Sequence, residues 1–316
     1  MSKEVSSMRV KRKALVSGAT GFVGSHLVRR LVQSGWEVHI VIRENSTLPS
    51  AQEFNKVIVH TIDGSIECLV ACVGKSKPDV VFHLASLFLA QHETKDIESL
   101  IVSNVLLGNQ LLEAMKVNQV SHIVNTGTSW QHYNNEDYNP VCLYAATKQA
   151  FEAILEYYIQ ASGFKAITLK LFDTYGPDDS RLKLFNLLNN SAISGEPLNM
   201  SPGEQLIDLV HIDDVVDAYL IAAKRLLEDK VSKHEIYAIS SSNPITLKEL
   251  VESYILVIGQ KINVNWGARP YRNREVMNTW SSGVCMSDWK PKISLEKGIA
   301  DALEKNYVNI NHISCG

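Results

Sequence analysis

Hydrophobic positions in the first half of the chain follow two alternating patterns. Short continuous apolar runs at residues 14–16, 37–42, 56–61, 79–84, 121–126 and 166–172 read as buried parallel strands. Between them apolar residues recur every three or four positions, the spacing of an amphipathic helix. In the helix that begins at Phe22, Val23, Leu27, Leu31 and Val32 share one face, and Arg29, Arg30 and Gln33 point away. Further helices are predicted over 65–74, 97–117 and 143–160.

This alternation predicts an α/β fold, a Rossmann-type doubly wound parallel sheet with ligands at the carboxyl ends of its strands. After Pro177 the alternation loosens. A helix over 182–193, a turn at Gly195-Glu196-Pro197 and a strand over 206–210 come first. A helix over 212–227 follows, with Asp213 and Asp214 in its first turn, then a strand over 234–239 and a helix over 247–258 capped by Thr246. Residues 1–176 are therefore expected to form a dinucleotide-binding domain to which 206–240 return. Residues 177–205 and 241–316 are expected to form a smaller, irregular C-terminal substrate lobe over the open side of the cofactor site.

The first strand runs straight into Ser17-Gly18-Ala19-Thr20-Gly21-Phe22-Val23-Gly24, three glycines spaced three apart at the start of a helix. Glycines here let the backbone approach a pyrophosphate, and the helix start supplies free N–H groups and the positive dipole end. Isolated glycine patterns are common in turns; strand before, helix after and a second strand beyond Ser34-Gly35 make this one a dinucleotide site.

Composition narrows the function classes. The chain has 316 residues, 45% hydrophobic and 21% charged, with a formal net charge of −3. That balance argues against nucleic acid as a partner, and Lys11-Arg12-Lys13 reads as a solvated lead-in. Cys68, Cys72, Cys142, Cys285 and Cys315 lack metal-ligand spacing and read as reduced thiols. His83 and His132 stand alone, so no metal site is expected. The first dozen residues have no apolar core of the signal-peptide kind, and the apolar stretch 80–90 is too short to span a membrane. A cytoplasmic protein is expected.

Tyr144 and Lys148 lie four apart at the start of the predicted helix 143–160, on one face. A cation beside a phenol favours the phenolate and lowers its pKa, which suits acid–base chemistry. The same pairing occurs on ordinary helix surfaces; its place after a dinucleotide motif, with Thr128 upstream, favours chemistry.

Three segments together resemble the extended short-chain dehydrogenase/reductases, the nucleotide-sugar epimerases, dehydratases and reductases. They are Gly18-Ala19-Thr20-Gly21-Phe22-Val23-Gly24, Tyr144 with Lys148, and Leu209-Val210-His211-Ile212-Asp213-Asp214-Val215. More narrowly, three stretches are similar to CDP-abequose and CDP-paratose synthases, which reduce the 4-keto group of a CDP-linked dideoxyhexose. These are Leu143-Tyr144-Ala145-Ala146-Thr147-Lys148-Gln149-Ala150-Phe151-Glu152, Asn125-Thr126-Gly127-Thr128-Ser129-Trp130-Gln131 and Leu171-Phe172-Asp173-Thr174-Tyr175-Gly176-Pro177.

The resemblance implies a catalytic set of Thr128, Tyr144 and Lys148, with Thr126 the alternative if the strand ends earlier. It implies a cofactor held by Gly18, Thr20, Gly21, Phe22, Val23, Gly24, Leu84, Ala85, Ser86, Tyr144 and Lys148. Asp63 and Gly64 would flank the adenine, and Asn104 is a further polar contact from the long helix. Relatives that use NAD usually end the second strand in Asp; here Arg43 stands there, with Glu44 one place late, and a guanidinium suits the 2′-phosphate of NADPH. Substrate contacts are expected from Ser86, Thr128, Ser129, Trp130, Asp173, Arg181, Lys183, Arg269 and Arg272. Dehydratases follow their Thr with an acid pair, where this chain has Ser129 and Trp130. Ile207 occupies the place of an Arg that holds the diphosphate in many relatives. Trp130 is expected to stack on a ligand, and Trp36, Trp266, Trp280 and Trp289 to be packing residues.

The implied activity is NADPH-dependent reduction of a nucleotide-linked 4-keto-deoxyhexose, weighed against an NAD-retaining 4-epimerase and a non-catalytic NADPH-binding protein. A homodimer is expected through helices 97–117 and 143–160. Their apolar surplus is assigned to Leu106, Leu107, Leu111 and Leu112 on one and Phe151, Leu155, Tyr158 and Ile159 on the other. In relatives the same pair forms an intersubunit four-helix bundle.

Overall fold

The computed structural model describes residues 11–303 except Leu182. The expectations for the leader at residues 1–10 and for Cys315 lie outside the described residues. Seven parallel strands make the central sheet: β1 (Lys13–Ser17), β2 (Glu37–Arg43), β3 (Ile58–Ile62), β4 (Val80–His83), β5 (His122–Thr128), β6 (Lys165–Leu171) and β7 (His234–Ile239). Their order is β7-β6-β5-β4-β1-β2-β3, so the strand order reverses between β1 and β4.

The helices are α1 (Phe22–Gln33), α2 (Ile66–Ser76), α3 (97–117), α4 (Leu143–Ser162), α5 (Leu184–Ser194), α6 (Ile212–Leu227) and α7 (Leu247–Ile258). Ala14 and Val16 of β1 face a core built with Leu27 and Leu31 of α1 and Val215, Tyr219 and Ala222 of α6. Leu15, between them, faces a second core with Leu69 of α2, Leu111 of α3 and Leu155 of α4. A strand covered on both faces is largely apolar, which is why the inner strands appear as continuous runs; β3, at the sheet edge, leaves Ile58 and Val59 exposed. A third, smaller core joins Leu188 of α5 to Leu250, Val251 and Tyr254 of α7 and to Ile299.

Three expectations are corrected. The strand predicted over 206–210 is two pieces: Leu206–Ile207 pairs antiparallel with Ile245–Thr246, and Leu209–His211 pairs parallel with Asp173–Tyr175. The break falls at Asp208, whose buried carboxylate accepts hydrogen bonds from Ser240 Oγ and the Ser241 N–H. Part of the tail expected in the smaller lobe returns to the large core, while Ile299 stays in the smaller one. Met286 and Trp289 are buried in the large core, and Trp289 Nε1 donates to the Asp214 carbonyl at 2.9 Å. The third concerns α3, which changes to a π turn over Val102–Leu106 between the α-helical pieces Ile97–Ile101 and Leu107–Val117. The wider turn carries Asn104 into the interior, 2% exposed.

Of the residues expected to carry the apolar surplus of α3 and α4, Leu106 is exposed, and the rest of the surplus falls elsewhere. Leu111, Leu112, Phe151, Leu155, Tyr158 and Ile159 are core, whereas Ile97, Ile101, Val102, Leu106 and Tyr157 are exposed. Among the described residues no helix is long and apolar enough to cross a membrane, and no group of side chains has the makings of a metal site.

Candidate active site

The glycine turn sits where the strand order reverses, the usual ligand crevice of an open α/β sheet. Gly18 has φ +75°, and a Cβ on it would stand 2.5 Å from the Ala85 nitrogen after β4. On Gly24 a Cβ would stand 2.1 Å from the Gly18 carbonyl oxygen, so both glycines are demanded by the chain's own packing. Gly21 is different: its nearest neighbour is Gly18 O at 3.4 Å, an ordinary contact. Gly21 is also the N-cap of α1, which has no side-chain cap and no acidic residue in its first turn. The first N–H groups of α1 and its positive end are therefore left to a ligand, and a pyrophosphate fits them.

Thr128 ends β5 and begins a single helical turn, Ser129–Gln131. Its Oγ1 accepts from the Trp130 N–H at 3.3 Å, which leaves its own proton to donate into the cleft. Thr126, the alternative, borders the same cleft, but its hydroxyl donates to the His83 carbonyl at 2.8 Å and accepts from Tyr219 at 2.6 Å, so its proton is already used within the protein. The strand simply runs two residues further than its apolar pattern.

Tyr144 and Lys148 occupy the first turns of α4 and line the same cleft as Gly18, Gly21 and Thr128, a cavity of about 290 Å³. Lys148 is 3% exposed and has no hydrogen bond or ion pair to another described residue. Burial brings its pKa down to about 8, against the pull of Glu152. An ammonium buried without a partner in the cleft fits a cofactor's ribose hydroxyls or phosphate. The phenol behaves contrary to the sequence expectation. Burial is the largest influence on Tyr144 and pushes its pKa above the ordinary value, with the Cys142 thiol acting in the same direction and a hydrogen bond with Ser86 opposing.

The segment after β4 is tied down by Asn104. Its Oδ1 accepts from Ser86 Oγ and the Leu87 N–H, and its Nδ2 donates to the Leu87 carbonyl and to Thr147 Oγ1. Asn104 thus spends its side chain on the protein and supports Ser86 rather than facing the cleft itself. This same segment presents Phe88, which sequence reasoning missed. Phe88 stands edge-on to Tyr144 with ring centroids 5.0 Å apart and 5.5 Å from Trp130, although it is 47% exposed. A lone Phe in an apolar run carries no sign of this; only its place between two cavities does.

Beyond Phe88 and Trp130 the cleft opens into a second cavity of about 300 Å³ under the smaller lobe, walled by Tyr133, Phe172, Phe185, Tyr254 and Trp280. Trp280, expected to be a packing residue, lines this cavity and stacks on His132 at 3.9 Å. Asp173 and Lys183 border both cavities, 3.7 Å apart. Arg272 lines the second cavity with its guanidinium 5.4 Å from the Trp130 ring and doubly bonded to Glu275. Arg181 stacks over Phe22 at 4.3 Å and is paired with Asp179.

Several expected contacts lie apart from these cavities. Arg269 is exposed and borders neither, as do Thr20 and Ala85, the latter packed beneath Gly18. Arg43, Asp63 and Gly64 lie at the carboxyl ends of β2 and β3, on the same edge as Gly18. Asp63 bonds to Ser65, and the Gly64 carbonyl accepts from Gln110.

Residues 14–239 match the family model described as "NAD dependent epimerase/dehydratase family". CDP-abequose synthase from Salmonella muenchen is 27% identical over 93% of this chain and 98% of its own length. UDP-glucose 4-epimerase from Thermotoga maritima, solved with UDP-glucose, superposes with a TM-score of 0.82 at 22% identity, covering 94% of this chain and 99% of that one. The UDP-glucose 4-epimerase of Thermus thermophilus, solved with NAD, gives 0.78 at 23% identity over 92% and 98%. With the glycine turn at the strand-order reversal and Thr128, Tyr144 and Lys148 around one cleft, the chain belongs to the NAD dependent epimerase/dehydratase family, the extended short-chain dehydrogenase/reductases that its motifs resemble.

Proposed function

We propose that the protein is an NADPH-dependent reductase of the 4-keto group of a nucleotide-linked, CDP-bearing deoxyhexose. The observation that carries this reading is the single cleft in which Thr128, Tyr144 and Lys148 meet the glycine turn, continuous with an aromatic-walled cavity. A bound nicotinamide cofactor in its reduced form would supply the hydride, and its uncharged ring would leave the phenol protonated. The Gly18–Gly24 turn, Arg43 and Lys148 hold that cofactor in this reading. Thr128 donates a hydrogen bond to the sugar carbonyl oxygen, and Tyr144 delivers its proton there. A phenol whose surroundings favour the protonated form starts in the state a proton donor needs. Phe88 and Trp130 cover the reacting carbonyl, and Lys183 and Arg272 meet the diphosphate in place of the Arg that Ile207 replaces.

The test is NADPH oxidation against CDP-, GDP- and dTDP-linked 4-keto-deoxysugars, with the product followed by NMR. Stoichiometric NADP⁺ with a CDP-linked substrate is expected. Interconversion of 4-epimers with no net cofactor oxidation would make the protein an epimerase instead.

A homodimer through α3 and α4 is part of the same proposal, supported by the exposed row Ile97, Ile101, Val102 and Leu106 with Tyr157 beside it. Sedimentation at micromolar concentration should give a dimer mass, and Ile101→Glu with Leu106→Glu should give monomer. A monomeric wild type would refute this assembly.

A further inference from the structure

Behind Thr128, on the side away from the cleft, lies a buried chain of polar contacts that no catalytic step uses. The Thr128 N–H donates to Gln131 Oε1 at 3.0 Å, and Gln131 Nε2 donates to Glu152 Oε1 at 3.0 Å. The other carboxylate oxygen of Glu152 stands 3.5 Å from Lys170 Nζ, with both side chains about 5% exposed or less. Lys170 in turn donates to His132 Nε2 at 2.8 Å. His132 Nδ1 is 3.0 Å from the Glu136 carbonyl, which can only accept, so the proton sits on Nδ1 and Nε2 takes the ammonium hydrogen bond. The imidazole finally stacks on Trp280, 3.9 Å away and tilted by 11°.

We propose that the buried Glu152–Lys170 pair is a positioning device that sets Thr128 on one side and Trp280 on the other. The proposal rests on the role assigned to Thr128 above. Glu152 follows Tyr144 and Lys148 along one face of α4, at i+8 and i+4. Its carboxylate, together with Gln149 Oε1, which also accepts from Gln131 Nε2 at 2.6 Å, turns the NH₂ of the Gln131 amide toward itself and the amide oxygen toward the Thr128 N–H. With that amide fixed, the turn Ser129–Gln131 keeps the Trp130 N–H on Thr128 Oγ1, and the Thr128 proton points to the cleft. On the other arm, the Glu136 carbonyl keeps the His132 proton on Nδ1, the Lys170 ammonium holds Nε2 and with it the orientation of the ring, and the imidazole fixes the plane of Trp280 in the cavity wall. Gly127 shows how closely the arrangement is built. A Cβ there would stand 2.8 Å from Glu152 Oε1 and 3.1 Å from Gln131 Oε1.

The arms predict different kinetic losses. Gln131→Leu should lower kcat with KM nearly unchanged, and His132→Phe, which keeps the stack but gives Lys170 no acceptor, should raise KM with kcat nearly unchanged. Glu152→Gln should lower kcat by about ten- to a hundredfold, the scale of a misplaced catalytic group, and leave NADPH titration as in wild type at a pH well below the Lys148 pKa, where the ammonium keeps its charge without Glu152. Because one charge left buried alone can unfold a protein, the double variant Glu152→Gln/Lys170→Met removes both. If the pair only stabilises the fold, that double variant regains wild-type kcat, and the proposal is overturned. Lys170→Arg, which keeps the cation, should recover most of the activity lost in Lys170→Met. A wild type inert toward every keto-sugar would refute the functional reading instead. The ¹⁵N signals of His132 then carry the test: an Nε2 signal shifted by the ammonium hydrogen bond in wild type and released in Lys170→Met supports the device, and an Nε2–H tautomer in wild type, or an Nε2 signal unchanged in Lys170→Met, overturns it.

Discussion

Tyr144→Phe should bind NADPH almost as wild type does while turnover falls by about 10²–10⁴, the usual worth of a positioned general acid. The substitution keeps the ring, its edge contact with Phe88 and the start of α4, and removes only the hydroxyl. An interaction made only in the transition state is lost from kcat, so KM should change little. Lys148→Met should behave differently, weakening cofactor binding and slowing turnover together, because the ammonium is assigned both the ribose and the electrostatics of the phenol. The pH dependence separates the two residues further. Burial places the Lys148 pKa at about 8, so in the free protein the ammonium is lost as pH rises through that value. NADPH affinity should fall over the same interval in wild type and in Tyr144→Phe, and stay flat in Lys148→Met. Fluorescence titration of NADPH across pH, beside steady-state kinetics on a 4-keto substrate, measures all of this. Wild-type kcat in Tyr144→Phe would move the search for the acid to His132 or Asp173, and His132 is a poor candidate because burial and Lys170 already hold its pKa down.

Arg43→Ala should weaken NADPH by roughly ten- to a hundredfold and NADH hardly at all, since a hydrogen bond to a charged group is worth about 1.5–3 kcal/mol. Arg43 ends β2, two residues past the Val41 that pairs with Ser17 at the end of β1, so it lies beside the glycine turn. It is exposed, and it makes no ion pair among the described residues. Its backbone N–H bonds Ser46 Oγ at 3.2 Å, which holds the turn after β2 while leaving the guanidinium to a ligand. Solvent exposure sets the lower end of the expected loss, because water and salt screen an exposed charge. The contact should therefore weaken as ionic strength rises, and the difference between NADPH and NADH should narrow with it. Equal losses for both cofactors would show that Arg43 does not read the 2′-phosphate.

What the chain determined locally, it showed in its sequence. The central strands carry continuous apolar runs because each is covered on both faces, and α6, β7 and α7 occupy the very residues that their periodicity and the Thr246 cap predict. Gly18 and Gly24 are legible for a related reason: a backbone that must pass within a few ångströms of another backbone leaves its mark as a missing side chain. Tyr144 and Lys148 are legible because one helix holds both, and a spacing of four suffices to align them. Relations between residues distant in the chain were decided only in three dimensions. Asn104 looks like a polar position on a long helix until a π turn brings it to Ser86 and Thr147, and Phe88 looks like one more apolar residue until it meets Tyr144. The Tyr144 phenol shows the limit most directly. Spacing alone put a cation beside it and predicted a lowered pKa, but burial raises it, and burial is the sum of everything that packs around a group. Periodicity records which way each residue faces. What it faces depends on closure of the sheet, and so Lys170, His132 and Trp280 came into contact only when β6, the turn after β5 and the returning tail were packed together.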